Sequence, residues 1–495
     1  MKSIQYSIVL GLSFALLFSC SPQEGEQEPL PNGPVATKKP FLLVQLPELT
    51  VPTEAQRRGE LVQIQVFQSQ ATSQERQDLQ RWSRGAVVGW NEIARELAAR
   101  YNLPPAVNAE GVYPVPDPQN PLADPRFPFA TPPYVSRALA YLSVAQYDGL
   151  IQTEAWKVKE KRSSAAQMSD RIQAWLPNDN VSAFPCSEAT VAVASFQILR
   201  VMFPGEIKFL QEQLRSHEKA LLISGKIVPS DWAGGQKIGE AAAAKALERA
   251  STDGMGQANN QAIVANQKTE ASRLGMKDLW VSQEIPARPP MLPNFGAVKT
   301  WNFTKGEMIA MRPKRPFVVG SPEFEKELDE LRQVQRKQTR EQQRIANFWS
   351  DGPGSYTPPG HWHRLATETI LRYGCDEVTT AEVLATLGTA LMDAGVACWD
   401  VKYLYYSPRP QQFGIKTSVG VPNFPAYTSG HSTFSGAAAE VLGKFFPNEK
   451  GRFDAKAQEA SVSRIYGLIH FRIDCELGLE HGREIGRKAW QTLTN

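Results

Sequence analysis

Residues Lys402 to Pro410 read KYLYYSPRP, Phe424 to His431 read FPAYTSGH, and Ser463 to His470 read SRIYGLIH. Between them they hold one Lys, two Arg, a Ser-Gly pair and two His. Two histidines with three fixed cations make a poor metal-ion site but a good cradle for a tetrahedral oxyanion such as phosphate or vanadate. The negative charge of such an ion loses its hydration on binding and must be compensated. Arg does so with a planar fork of donors, and Lys with a compact point charge. Lys402, Arg409 and Arg464 supply three positive charges. Ser429-Gly430 precedes an apolar, Ala-rich run, Phe434 to Phe446, that reads as a helix. A helix start offers free N–H groups and a positive dipole end, and Gly430 lets backbone approach closely. Of the histidines, one can attack phosphorus or bind vanadium as neutral imidazole, and the other can carry a proton.

The pattern K-x6-R-P, then S-G-H, then S-R-x5-H resembles the superfamily that joins type 2 phosphatidic acid phosphatases, bacterial acid phosphatases and vanadium-dependent haloperoxidases. By that resemblance Lys402, Arg409 and Arg464 are the oxyanion ligands, and Ser429 and Gly430 bind by hydroxyl and backbone N–H. His431 is the general acid/base. His470 is the phosphate nucleophile, or the axial ligand of vanadate in a haloperoxidase. One position departs from the pattern: Thr428 stands where the family usually has Pro.

Four features lean toward the soluble haloperoxidase branch. Phe424 lies seven residues before His431, where that branch places an aromatic or His beside the halide, and Trp399 lies three before Lys402, matching another aromatic of the chloroperoxidase-type pocket. Asn347 to Gly352, followed by Thr357-Pro358-Pro359, resembles its FW…DG…TPP stretch, in which an Asp orients the oxyanion-binding Arg; this pairs Asp351 with Arg464. The fourth is the long helical region before the signature. The resemblance implies an all-α, helical-bundle fold with long loops. The implied function is a haloperoxidase using vanadate as cofactor, with peroxide and halide as substrates. The alternative is a secreted acid phosphatase that needs no cofactor and acts on a phosphate ester through a phosphohistidine at His470. A non-enzymatic oxyanion binder fits less well, having no use for two reactive histidines.

At the other end, Lys2 and the apolar run Ile8 to Phe18 read as an export signal over residues 1–19. Cys20 follows at the position of a lipidated cysteine, and the Pro-, Gly- and Glu-rich residues after it read as a flexible tether, taken to residue 50. The expectation is an exported bacterial lipoprotein of the periplasm or outer membrane, touching membrane through its lipid alone, since no second run reads as long enough to span. The net charge of +3 over 495 residues, with basic residues scattered, gives no footprint for nucleic acid. Cys186, Cys375, Cys398 and Cys475 allow one or two disulfides of unspecified pairing, and the oligomeric state is left open.

Residues 51–320 read as an N-terminal helical region and 321–495 as the oxyanion-binding catalytic region, interlocked in one globule. Thr72-x-x-Glu75 is a capping-box start, with Trp82, Val87, Trp90, Ile93, Ala94 and Leu97 following at helical spacing. Further helices are expected over Val135–Leu150, Glu188–Met202, Glu206–Ser224 and Asp231–Arg249. Ser321-Pro322 opens a charged one reaching Phe348, and Thr379-x-x-Glu382 opens one that ends near Trp399 and delivers Lys402. Thr252–Gln261 and Ile285–Phe295 read as loops near the active site. His217 and His481 read as structural, and the His361-Trp362-His363 triplet as structural or supporting. Positions 464 and 470 are not stacked neighbours on a straight helix, so both reach one ion only if their side chains lean together or the helix is irregular between them, which Gly467 would permit.

Overall fold

Gly85 shows how the N-terminal helices are cut and tied to the rest of the chain. The computed structural model describes residues 38–102, 109–110, 131–176 and 182–494. The periodicity from Thr72 to Leu97 reads as continuous, but the structure divides it. α1 (Glu54–Ser69) is followed by α2 (Ser73–Trp82), which starts on the expected Thr72/Glu75 capping box, and by α3 (Ala86–Tyr101). Between α2 and α3, Gly85 takes φ +110°, a conformation open to glycine, and a Cβ there would lie 2.5 Å from the Glu377 carboxylate. That carboxylate accepts the Val87 N–H at 3.0 Å, so α3 is capped by a distant residue.

α4 (Pro132–Lys159) begins on the Pro pair, which presets helical φ where no N–H partner is needed. The short α5 (Ala165–Met168) leads to α6 (Ser187–Met202), α7 (Ile207–Ser224) and α8 (Pro229–Ser251), close to their expected bounds. α9 (Val264–Arg273) and α10 (Lys305–Ala310) are short connectors. The charged helix expected to reach Phe348 is two: α11 (Pro322–Lys337) and α12 (Arg340–Phe348). Gln338 turns extended there, its amide donates to the Tyr466 carbonyl, and Thr339 with Gln342 forms a new capping box. α13 (Thr357–Tyr373) follows.

The long rod is α14 (Glu377–Tyr405), capped by Asp376 through the Thr379 N–H at 2.7 Å. Its cap therefore lies three residues before the expected cap at Thr379, and Glu382 instead pairs with Lys38. α14 is long and apolar enough to cross a membrane, contrary to the expectation that no further run would be, yet 94% of its apolar window is buried inside the fold. α15 (Gly430–Phe445), α16 (Lys450–Tyr466) and α17 (Arg472–Thr494) complete the chain. Among the described residues there are seventeen α-helices and no strand, an all-α architecture.

One apolar core runs from Leu61 to Ala489 across the 320/321 boundary, with α4 packed along α14. α15 and α17 pack closely because a Cβ on Gly482 would sit 2.1 Å from the Thr433 carbonyl, and one on Gly436 2.3 Å from that of Leu479. Their approach brings the first turns of both helices together. A smaller cluster, including Phe324, Leu328, Tyr427, Phe471 and Ile473, seats α11 beneath them.

The signal stretch, Cys20 and the first part of the expected tether lie outside the described residues. The last part, 38–50, is not a free tether: the backbone N–H groups of Phe41, Leu42 and Leu43 donate to the Asp148 carboxylate at 2.7–2.8 Å. Phe41 also meets Tyr147 and Trp301 edge-on. Cys186, Cys375, Cys398 and Cys475 are free thiols, so none of the disulfides considered from sequence forms among them.

Candidate active site

The oxyanion signature assembles around the first turn of α15. Lys402, in the last turn of α14, is fully buried, and its Nζ donates to the carbonyls of Pro425 (3.0 Å), Ala426 (2.7 Å) and Thr428 (2.5 Å). All three ammonium hydrogens are thereby engaged. The turn before Ser429, where Pro was the expected residue, is stitched from below by Lys402. The lysine therefore reaches an anion through its charge rather than through a free donor. Burial is the main cause that lowers its pKa to about 8.

Arg409 donates from Nε to the Phe424 carbonyl (3.0 Å) and from Nη1 to that of Ile469 (2.8 Å). Its Nη2 is buried with no partner. Arg464 donates from Nε to Ser463 Oγ (2.9 Å) and from Nη2 to the Ala346 carbonyl (3.2 Å). Burial lowers both guanidinium pKa values, to about 9 and about 10, with Asp474 opposing at Arg409 and Asp351 at Arg464.

α16 ends at Tyr466, and the chain reverses before α17, which returns His470 to the side of Arg464. The helix is irregular between the two, as the second alternative had it: Gly467 is the C-cap of α16 with an ordinary φ of −74°, and the left-handed residue is Leu468, at φ +61°. His470 Nδ1 lies 3.0 Å from Asp474 Oδ2, and its Nε2 3.3 Å from Arg409 Nη1. A carboxylate on one side and a donor on the other assign the proton to Nδ1 and the lone pair to Nε2. Burial, then Arg409, Lys402 and Arg464, push the His470 pKa well down, so the ring is neutral. Asp474 also accepts the Phe471 N–H (3.1 Å), and burial raises its pKa to about 7. Sequence reading did not single out Asp474; a His and an Asp four apart across a helix start is the signal that would have found it.

Ser429 caps α15, its Oγ accepting the Ser432 N–H at 3.4 Å, and its own N–H donates to the Asp474 carbonyl at 2.9 Å. Gly430 and His431 follow at the first helical positions, whose N–H groups have no partner within the helix. A Cβ built on Gly430 would meet nothing nearer than Phe434 and Trp399 at 3.9 Å, so its absence leaves room in the cavity rather than making a packing contact. His431 Nε2 is buried without a hydrogen bond, and burial with Arg464 drives its pKa well down.

Asp351 was expected to pair with Arg464. Its carboxylate instead binds His361 Nδ1, at 3.1 and 3.3 Å, and faces His431 Nε2 at 3.8 Å. His361 and His363, two apart on a helix rather than a strand, point to different sides. His363 meets the Asn91 amide at 3.0 Å, and burial lowers its pKa to about 3. His217 stacks on Trp82 at 4.0 Å and meets the Trp90 Nε1–H at 3.2 Å, and His481 is buried in α17.

A cavity of about 570 Å³ opens over Gly430, His431, Arg464 and His470. Trp399 and Phe424 form one wall, their rings 4.9 Å apart, and the Phe424 ring lies 5.1 Å from both Lys402 Nζ and Arg409 Cζ. Of the two expected loops, Ile285–Phe295 borders the cavity through Arg288 and Met291, whereas Thr252–Gln261 does not. An unpartnered Arg409 Nη2, an unpartnered His431 Nε2, the helix start at Gly430 and a neutral Nε2 on His470 converge on one place. These groups fit a tetrahedral oxyanion, vanadate included.

The fold is that of bacterial vanadium-dependent haloperoxidases. A bacterial vanadium-dependent iodoperoxidase superposes with a TM-score of 0.56 at 23% identity, over 73% of this chain and 92% of that one. A bacterial vanadium-dependent chloroperoxidase, in apo and holo forms, superposes at a TM-score of 0.50 with 13% and 12% identity, over 73% of this chain and 93% and 91% of theirs. No family model and no curated protein sequence matches the chain.

Proposed function

We propose that the chain is a vanadate-dependent haloperoxidase, in which halide and hydrogen peroxide with one proton give hypohalous acid and water. The observation that carries this reading is the neutral Nε2 of His470, oriented by Asp474 at 3.0 Å, beside the buried, unpartnered Nη2 of Arg409. His470 Nε2 would hold vanadium, with Arg409, Arg464 and the Gly430 N–H on its oxygens. When bound, vanadate supplies a Lewis-acidic centre that activates peroxide toward two-electron oxidation of a halide.

The chain's own groups do the rest. Arg409 and Arg464 supply buried, fixed donors that need no reorganisation to stabilise developing charge. Lys402 adds positive charge through the turn it holds. His431 Nε2, neutral and unpartnered, takes the proton from incoming peroxide and returns it to the departing oxygen. Trp399 and Phe424 present an apolar wall beside these cations, where a poorly hydrated halide is better accommodated than water.

A phosphatase is the second reading, favoured by the same His470–Asp474 pair. A neutral imidazole with its distal nitrogen free is a competent nucleophile toward phosphorus, with His431 protonating the leaving alcohol.

One paired assay separates them. The purified chain is loaded with orthovanadate and given peroxide with iodide, bromide or chloride, or kept vanadate-free and given p-nitrophenyl phosphate. Halide oxidation that requires vanadate and is lost in His470→Ala is the expected result. Ester hydrolysis inhibited by vanadate, without halide oxidation, would replace this reading with the phosphatase.

A further inference from the structure

Asp351 sits between two imidazoles, and its hydrogen bonds go to one of them. Both of its carboxylate oxygens lie within 3.1–3.3 Å of His361 Nδ1, while His431 Nε2 stands 3.8 Å away and makes no hydrogen bond. His361 cannot easily move: its ring stacks on Trp349 at 4.5 Å and 19°, meets Phe348 edge-on at 5.4 Å, and is buried. We propose that His361 is a positioning residue that holds the Asp351 carboxylate away from His431 and so keeps His431 Nε2 free to accept a proton. This rests on His431 being the acid/base of the proposed function.

The surroundings of His431 agree. Arg464 on α16, Lys402 on α14, His361 on α13 and His470 before α17 all face it, with the Trp349 backbone and Asp351 on the favourable side for a protonated ring. Against the cations Arg464 and Lys402, Asp351 is the carboxylate in contact range that could stabilise a charged His431. A direct bond would shorten the 3.8 Å approach and favour the protonated ring, so Nε2 would already carry the proton it is meant to accept. By taking the carboxylate for itself, His361 prevents that.

The test uses the full chain with ¹⁵N-labelled histidine, titrated by NMR without any added ligand. His361→Phe keeps the stack on Trp349 but deletes the donor, so Asp351 is released toward His431. The His431 titration should move up by about one unit or more, the range for a carboxylate brought into contact. His361→Asn places an amide donor near the Nδ1 position and should leave the His431 titration close to wild type. The halide-oxidation pH profile should shift in parallel in His361→Phe alone. An unchanged or lowered His431 titration in His361→Phe, or equal shifts in both variants, would overturn the proposal. Should His361→Phe not fold, the wild-type spectrum decides: a proton on His361 Nδ1 is required, and one on Nε2 alone overturns it. Turnover of His431→Ala, measured alongside, judges the acid/base reading separately.

Discussion

His470 Nδ1 and Asp474 Oδ2 are 3.0 Å apart at the start of α17, and that contact determines which nitrogen of His470 faces the cavity. Asp474→Asn offers an amide that can donate to Nδ1 and so move the ring proton to Nε2. Oxyanion affinity should then fall by about 10–100-fold, the usual loss when a ligand's orienting partner is removed. Isothermal titration with orthovanadate measures it, and unchanged affinity would mean that Asp474 does not set the tautomer.

Lys402→Met tests what the lysine holds. Removal of Nζ leaves the Pro425, Ala426 and Thr428 carbonyls without their common donor in a buried site. Each unsatisfied acceptor costs about 1–3 kcal/mol, so a clear fall in thermal stability is expected even without any ligand. A variant as stable as wild type would assign Lys402 to the anion alone.

Gly430→Ala should behave in the opposite way. The added methyl meets no protein atom within 3.9 Å and sits on a helix, so stability should hold. It projects into the cavity beside the helix start, and phosphate or vanadate affinity should drop at least about tenfold, since each 1.4 kcal/mol of lost contact is a factor of ten. Equilibrium dialysis against either ion reads the result directly.

His217 predicts an acid sensitivity of the fold. Burial lowers its pKa from 6.5 to about 3 in the folded chain, so the folded state resists a proton that the unfolded chain accepts. Its contribution is complete above pH 6.5 and is lost as pH falls from there toward 3. Against His217→Phe, the wild type should lose about 1.4 kcal/mol more per pH unit across that window, the slope for one proton. Urea melts of both chains at pH 7, 6 and 5 give the difference.

The residues of the candidate site were legible because three cations, two histidines and a Ser-Gly pair at these spacings are an unusual combination, and the fold brings Lys402, Arg409, Ser429, Gly430, His431, Arg464 and His470 together around one helix start. The helices were legible where an apolar stripe coincided with a local cap, as at Thr72 and Pro132. Helix breaks at Gly85 and Gln338 were not, because Glu377 and Tyr466, far along the chain, make those conformations favourable. Asp351 illustrates the same limit. Its neighbourhood was readable, but the choice between His361 and Arg464 depends on how α12, α13 and α16 meet, which no local pattern encodes. Asp474 was overlooked for the converse reason: an Asp in a first helical turn looks like an ordinary dipole partner.

α14 has Glu377 at its first residue and Lys402 near its last, about 38 Å apart at 1.5 Å per residue. At the far end, burial raises the Glu377 pKa to about 7 while its carboxylate fits against Gly85 and the start of α3. The rod that carries Lys402 is therefore seated, at its other end, by a fitting remote from the cavity. Variants at Gly85 or Glu377 bear on the site through this shared helix, and a survey of inactive variants ranked by nearness to the chemistry would misfile them.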